Sequence, residues 1–148
     1  MADEVRVPIT TDADLVTARA EGRAMAERLG FPRPDPTLIA TAISEVARNI
    51  VVHAGRGEIV LRPFDDADRY GVVVIARDEG PGIRDVDAAL RDDYSGRGGL
   101  GLGLPGARRL MDDFDVESDA DAGTTVTMTK WRYRDELARR REERRRRA

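Results

Sequence analysis

The sequence has 148 residues with an apolar fraction of 41%, a formal net charge of −3, one histidine and no cysteine. This length allows one domain with a buried core, and the composition excludes disulfides and thiolate metal sites and argues against zinc. No segment approaches the roughly 18 apolar residues of a membrane span, and the acidic start, Met1 to Glu4, differs from a signal peptide. We therefore expect a cytoplasmic protein with no membrane partner.

Charge is distributed unevenly along the chain. From Arg132 to Ala148 there are nine arginines and four acids, which give +5, so residues 1–131 carry −8. The acidic body argues against nucleic-acid binding as the main function. We divide the chain into a domain at 1–131 and an Arg/Glu-rich tail at 132–148. The tail is interpreted as a solvated, frayed helix, or alternatively as a docking arm for an acidic partner.

The first half of the chain predicts one strand and two helices. Val5, Val7 and Ile9 alternate with polar residues, which is the period of a half-buried strand. A helix is predicted over 12–29, capped at its start by threonines and ended by a glycine. A second helix is predicted from Asp35 and Pro36 to Ala54–Gly55, with a wide apolar face.

The second half predicts a return to strands around a glycine-rich segment. The predicted elements are strands at Glu58–Phe64 and Tyr70–Arg77, a short helical piece at Val86–Leu90, a mobile loop at 92–103, a helix at Leu104–Asp113, and a hairpin of Phe114–Ser118 with Thr124–Trp131. This order predicts an α+β fold, a two-layer sandwich with helices stacked on one face of a sheet.

Glu45, Asn49 and His53 recur every four residues along the second predicted helix and form one stripe on it. Transfer of the terminal phosphoryl group of ATP needs a base near the nucleophile and a metal ligand near the phosphates. A carboxylate and an amide one turn apart can supply both, and an amide oxygen suits Mg²⁺. The alternative is that both side chains are solvated on an exposed face. We interpret His53 as a packed or capping residue.

Asp78 follows the apolar run from Val72 to Ile75 and begins the sequence Asp-Glu-Gly-Pro-Gly-Ile. An acid at this position can cap a turn, or it can accept a hydrogen bond from the exocyclic amine of adenine. Gly80 and Gly82 would let the backbone approach a base closely. Thr124, at the start of the last predicted strand, could add a hydroxyl to the same network.

Five glycines lie within residues 92–103, directly before a predicted helix. Backbone N–H groups of such a segment, together with a helix N-terminus, can bind phosphates. A flexible linker is the alternative, although the leucines between the glycines argue against a mere spacer. The residues predicted to bind phosphate here are Gly98, Gly99, Leu100, Gly101, Leu102 and Gly103.

These motifs together resemble the nucleotide-binding boxes of the GHKL ATPase/kinase superfamily, which includes gyrase, histidine kinases and MutL. The resemblance rests on Glu45-x-x-x-Asn49, Asp78-x-Gly80-x-Gly82, the segment from Gly99 to Leu104, and a final Gly123-Thr-Thr, in that order. Within the superfamily the sequence is most similar to bacterial anti-sigma and switch serine/threonine kinases, above all the RsbT-like switch kinases, over about residues 5–131.

The resemblance implies a Bergerat-type fold with a mostly antiparallel mixed sheet, which binds ATP and Mg²⁺ under a mobile lid. By matching positions, Glu45 would be the catalytic base, Asn49 the magnesium ligand and Asp78 the adenine anchor. Gly80 and Gly82 would shape the base pocket, and the later glycines would hold the phosphates.

The resemblance also implies partners. Kinases of this kind phosphorylate a serine or threonine of a small STAS-domain antagonist and, once released from it, bind and activate a PPM-type serine phosphatase. The alternative function is an ATP-binding module, similar to an anti-sigma factor, that sequesters its partner with little turnover. Such a module has no need of a base at Glu45. The oligomeric state is left open by the sequence.

Overall fold

Residues 3–81, 103–119 and 122–148 are described by a computed structural model, and they form five strands and four helices. In chain order these are β1 (Val5–Ile9), α1 (Asp12–Leu29), α2 (Asp35–His53), β2 (Gly57–Asp65), β3 (Arg69–Asp78), α3 (Gly103–Leu110), β4 (Asp113–Asp119), β5 (Gly123–Tyr133) and α4 (Glu136–Arg147).

The strands form one sheet in the order β1-β2-β3-β5-β4, and each described pairing is antiparallel. The predicted α+β class, with helices against one face of a largely antiparallel sheet, is confirmed. The register places Asp78, the last residue of β3, opposite Gly57 on one side and Thr124 on the other. The sequence motifs on β3 and β5 therefore meet at one end of the sheet.

The helix α2 has its apolar side buried against the sheet and α1. Ile39, Ile43, Val46 and Ile50 recur at helical spacing and are at most 2% exposed. Burying each such side chain contributes roughly 1.5–3 kcal/mol. A Cβ at Gly22 of α1 would lie 2.1 Å from Ile43 Cδ1, so the two helices are in close contact. This packing makes α2 a rigid support for the polar side chains it carries.

The helix predicted over Leu104–Asp113 is three residues too long, since α3 ends at Leu110. The N–H of Asp112 donates to Thr129 O at 2.9 Å, which already directs the chain into the sheet beside β5. Lys130 Nζ caps the end of α3 by donating to Leu110 O at 2.9 Å. The helical piece predicted at Val86–Leu90 lies outside the described residues.

Arg132 and Tyr133 end β5, and most of the rest of the tail forms the helix α4, which is fixed to the rest of the chain. Asp135 Oδ1 accepts the N–H of Ala138 at 2.7 Å and so caps the helix, and Ala138 is fully buried. Arg141 donates to Asp68 Oδ1 from Nε at 3.0 Å and from Nη2 at 2.7 Å, and Arg145 also contacts Asp68. The tail is therefore a docked helix rather than the frayed segment expected from the sequence.

Replacing Asp68 by asparagine is expected to loosen α4, because it removes the charge that Arg141 and Arg145 share. Hydrogen bonds from these two arginines lower the pKa of the Asp68 carboxyl. The ion pairs between Asp68 and the two arginines therefore stabilise the docked helix fully at a pH above the ordinary pKa of aspartate. This stabilisation is lost as the pH falls through the lowered pKa of Asp68 in the folded protein. Amide hydrogen exchange should show reduced protection in α4 of the variant, and in α4 of the wild type at acid pH.

An Asp115→Asn variant provides the control for this experiment, because Asp115 is an exposed aspartate on β4. This variant also removes one negative charge, but at a position on β4 rather than at the contact with α4. Equal protection of α4 in the Asp68 variant and the wild type at neutral pH would contradict the role given to Asp68.

Candidate functional site

The buried carboxylate of Glu45 joins α2 to the first residue of α3. Glu45 is only 8% exposed, and its Oε1 accepts the backbone N–H of Gly103 at 2.7 Å. Its Oε2 accepts Nη1 of Arg48 at 2.9 Å. A buried carboxylate requires such donors, and the positive end of a helix favours its negative charge. Both carboxylate oxygens are therefore held in place, beside Gly103, the last residue of the glycine-rich segment.

Asn49 lies one helical turn after Glu45 and is half-buried. The spacing of four residues puts both side chains on the same face of α2, about 6 Å apart along its axis. In the described ranges of the chain there is no group of three or more His, Cys, Asp or Glu side chains that could hold a metal ion.

Asp78 is half-buried at the end of β3, and its carboxylate organises the turn that follows. Oδ1 accepts the N–H of Gly80 at 2.9 Å and the N–H of Thr124 at 3.3 Å. Among the residues that the structure describes, none donates a hydrogen bond to Oδ2. One carboxylate oxygen thus fixes the side chain, and the other can accept a hydrogen bond from a ligand.

Two glycines bring three segments together around Asp78. A Cβ at Gly80 would lie 2.5 Å from Ala54 Cβ, so the turn after β3 packs on the residue that caps α2. Gly123 has φ +86°, and a Cβ there would lie 2.0 Å from Asp78 O. At both glycines the neighbouring atoms are so close that no side chain would fit. These close contacts hold Asp78 beside the end of α2 and the start of β5.

Thr124 is 5% exposed and completes this end of the site. Its Oγ1 lies 2.9 Å from Ser118 Oγ, across the β4–β5 pair. Its backbone N–H binds Asp78, as described above, while the hydroxyl fixes the position of the neighbouring strand. The predicted grouping of Thr124 with Asp78 and Gly80 is thus present in the structure, although the contact to Asp78 is made by the backbone.

The helix α2 connects the two halves of the site. Asp78 lies beside its C-terminal end through Gly80 and Ala54. Glu45 comes nine residues before Ala54, which is about 13 Å along the helix. His53, expected to be packed or to act as a cap, is the last residue of α2 and is exposed.

The glycine-rich segment is only partly described. Gly103, predicted as its last phosphate-binding residue, is the first residue of α3, with φ +67°. The other predicted members lie outside the described residues: Gly82, Gly98, Gly99, Leu100, Gly101 and Leu102.

Sequence reasoning missed three residues of this site, each of which had a weak signal. Arg48 follows Glu45 by three residues, a spacing that places two side chains side by side on a helix. Ser118 is the cross-strand partner of Thr124 in a hairpin that was itself predicted. Ala54 was interpreted only as the end of α2, because nothing in the sequence shows that Gly80 would pack against it.

Replacing Gly123 by alanine is expected to destabilise the protein more than the same change at Gly55. Both glycines have positive φ, but nothing lies within 4 Å of a Cβ at Gly55. Positive φ costs alanine about 1–2 kcal/mol, and the clash at Gly123 should add about 1–3 kcal/mol. Denaturant unfolding of both variants measures the difference. Equal losses of unfolding free energy would show that the contact with Asp78 is unimportant.

The fold and the site together define a class of ATP-binding domain. Residues 9–130 match the family model of the histidine kinase-like ATPase domain, and the chain belongs to this family. The serine/threonine-protein kinase RsbT of Bacillus subtilis (strain 168) is 47% identical over 131 residues, which cover 88% of this chain and 98% of that protein. The predicted family and the predicted enzyme class, a protein serine/threonine kinase, are confirmed.

Two further proteins are similar to this chain. An anti-sigma F factor of Caldanaerobacter subterraneus subsp. tengcongensis is 36% identical over an alignment of 108 positions, and the match covers 66% of this chain and 74% of that protein. The solved RsbU and RsbW domains of a Mycobacterium tuberculosis protein match 90% of this chain with a TM-score of 0.57 at 24% identity. This chain spans 32% of that solved chain, and the match supports the fold.

ATP is the ligand that membership of an ATPase family implies for this chain. None of the described helices is both long and apolar enough to span a membrane.

Proposed function

We propose that this protein transfers the terminal phosphoryl group of ATP to a serine or threonine hydroxyl of a STAS-domain antagonist protein. The observation that carries the proposal is the buried carboxylate of Glu45, held by Gly103 and Arg48 beside the half-buried Asn49. A buried acid fixed at both oxygens is suited to accept a proton at a defined position. A protein that only bound ATP would not need it.

The nucleotide would lie along α2, with its base at Asp78. The Oδ2 atom of Asp78, which receives no hydrogen bond within the described chain, would accept from the exocyclic amine of adenine. Gly80 and Gly123 pack closely against Ala54 and Asp78 O, and these contacts would hold the Asp78 carboxylate in position for the base. Gly82 and the glycines from Gly98 to Gly103, with Leu100 and Leu102, are proposed to complete the base pocket and to hold the phosphates.

The reaction would then be an in-line transfer near the middle of α2, about 13 Å along the helix from Ala54. Glu45 would accept the proton of the substrate hydroxyl. The oxygen of that hydroxyl would bond to the terminal phosphorus of ATP, and the bond between this phosphorus and the oxygen that leaves with ADP would break. Asn49 would hold Mg²⁺ through its side-chain oxygen, and the ion would neutralise charge on the phosphates. The amide oxygen of Asn49 fits this role, since it is a hard donor one turn from Glu45.

The phosphorylated antagonist would release the kinase, which would then bind and activate a PPM-type serine phosphatase. Regulatory proteins are thus the proposed partners, and because ATP is an intracellular metabolite we expect the reaction to occur in the cytoplasm. The second candidate is an ATP-binding module that sequesters its partner with little turnover, and the similarity to an anti-sigma F factor favours it.

The two functions are separated by incubating the purified chain with ATP labelled in its terminal phosphate and with a STAS-domain protein. The proposal predicts transfer of label to a serine or threonine, identified by mass spectrometry of the modified peptide. Binding of ATP and of the STAS-domain protein without transfer of label would instead support the sequestering module.

A further inference from the structure

We infer that Arg48 is a positioning residue for the proposed catalytic base, and that it acts by fixing the Glu45 carboxylate toward α3. This inference deepens the proposed function and rests on it for the catalytic part. The structural part, that Arg48 holds the Glu45–Gly103 contact in place, can be tested without any catalysis.

The geometry shows a carboxylate held from two sides. Arg48 Nη1 reaches Oε2 of Glu45 at 2.9 Å from within α2, and the N–H of Gly103 reaches Oε1 at 2.7 Å from α3. Two donors on different oxygens fix both the position and the plane of the group. A carboxylate has about four lone-pair sites, so these two bonds leave capacity for a substrate hydroxyl.

Burial distinguishes this pair from an ordinary surface ion pair. The Glu45 side chain is 8% exposed, whereas the Arg48 side chain is 43% exposed. A half-exposed arginine three residues along a helix adds little to the stability of the fold. Among the described residues, Arg48 acts on the buried Glu45 carboxylate, for which the N–H of Gly103 is the other described donor.

The chemistry of arginine suits this task better than that of lysine. The guanidinium stays protonated at any pH the protein encounters, and its planar fork presents N–H donors in a fixed geometry. It can thus bind a carboxylate without competing with it for a proton. Lysine would keep the charge but would lose the fork, which makes Arg48→Lys an informative variant.

The first test measures the exchange rate of the Gly103 amide hydrogen in the wild type, Arg48→Gln and Arg48→Lys. We expect exchange to be several-fold faster in Arg48→Gln and intermediate in Arg48→Lys, because the acceptor of this N–H becomes mobile. Arg28→Gln, which removes an exposed arginine from the last turn of α1, should leave the rate unchanged. An unchanged Gly103 rate in Arg48→Gln would overturn the inference.

The second test follows phosphoryl transfer. For Arg48→Gln we expect kcat to fall about tenfold, because a misplaced catalytic group costs one to two orders of magnitude, with KM for ATP unchanged within about twofold. Arg48→Lys should recover part of the loss. In a Glu45→Gln background, Arg48→Gln should cause little further loss, since both changes act on one group.

The outcomes separate this inference from the proposed function. A raised KM for ATP with unchanged kcat would overturn it, because Arg48 would then be a nucleotide-binding residue. A full tenfold further loss in the Glu45→Gln background would overturn it as well. A wild type that transfers no phosphate would refute the proposed function, and the Gly103 exchange rates would still decide whether Arg48 positions Glu45.

Discussion

Replacing Glu45 by glutamine is expected to lower the rate of phosphoryl transfer by about 10²–10⁴-fold, which is the usual contribution of a general base. Glutamine has nearly the same shape, and its amide oxygen can still accept the N–H of Gly103. It cannot take a proton from the substrate hydroxyl. ATP affinity should be largely retained, because the proposed adenine contacts lie at the C-terminal end of α2, about 13 Å along the helix from Glu45.

Single-turnover transfer rates and calorimetric titration with ATP measure the two effects separately. Glu117→Gln provides the control, since Glu117 is an exposed acid on β4 and loses the same charge. Transfer at the wild-type rate in Glu45→Gln would remove Glu45 from the mechanism. Loss of ATP binding in the same variant would point to a role in nucleotide binding instead.

The second large effect is expected for Asp78→Asn, which should weaken ATP binding by about 1–3 kcal/mol. Asn Oδ1 can still accept from Gly80 and Thr124, so the turn after β3 should persist. The Oδ2 position then becomes an NH₂ group, which faces the exocyclic amine of adenine as a second donor. The variant therefore loses a charge-assisted hydrogen bond and gains a repulsive contact.

The same titration of Glu79→Gln gives a matched control, because Glu79 is the next residue and is exposed. Glu79→Gln removes one negative charge at the same turn, as Asp78→Asn does. ATP affinity equal to that of the wild type in Asp78→Asn would refute the assignment of Asp78 as the adenine anchor.

Much of the fold could be predicted because hydrophobic period and turn residues specify local structure. The helix α2 begins at Asp35 as predicted, since proline follows it, and its apolar face is the one that packs. The end of α3 could not be predicted, because it depends on Lys130 and Thr129 of a strand far along the sequence. Helical period alone contains no such information.

The tail shows the same limit more clearly. Its composition indicates a solvated segment, and it lies beyond residues 9–130, which match the family model. Its docking depends on Asp68 in the turn between β2 and β3, which the arginines reach only in the folded chain. Long-range ion pairs of this kind leave no local pattern in the sequence, so docking could not have been predicted.

For the site, the sequence predicts the residue types but not their contacts. Glu45, Asn49 and Asp78 are found on α2 and at the end of β3, where their motifs placed them. The contacts of Glu45 with Arg48 and Gly103, and of Gly80 with Ala54, arise only from packing. Their roles in catalysis and nucleotide binding stay predictions.

A crystal structure of the protein with a non-hydrolysable ATP analogue and Mg²⁺ tests the central claim most directly. The proposal predicts the exocyclic amine of adenine at hydrogen-bond distance, about 3 Å, from Asp78 Oδ2. It also predicts Asn49 as a magnesium ligand, with the terminal phosphate beside Glu45. A nucleotide bound away from Asp78, or a terminal phosphate remote from Glu45, would contradict it.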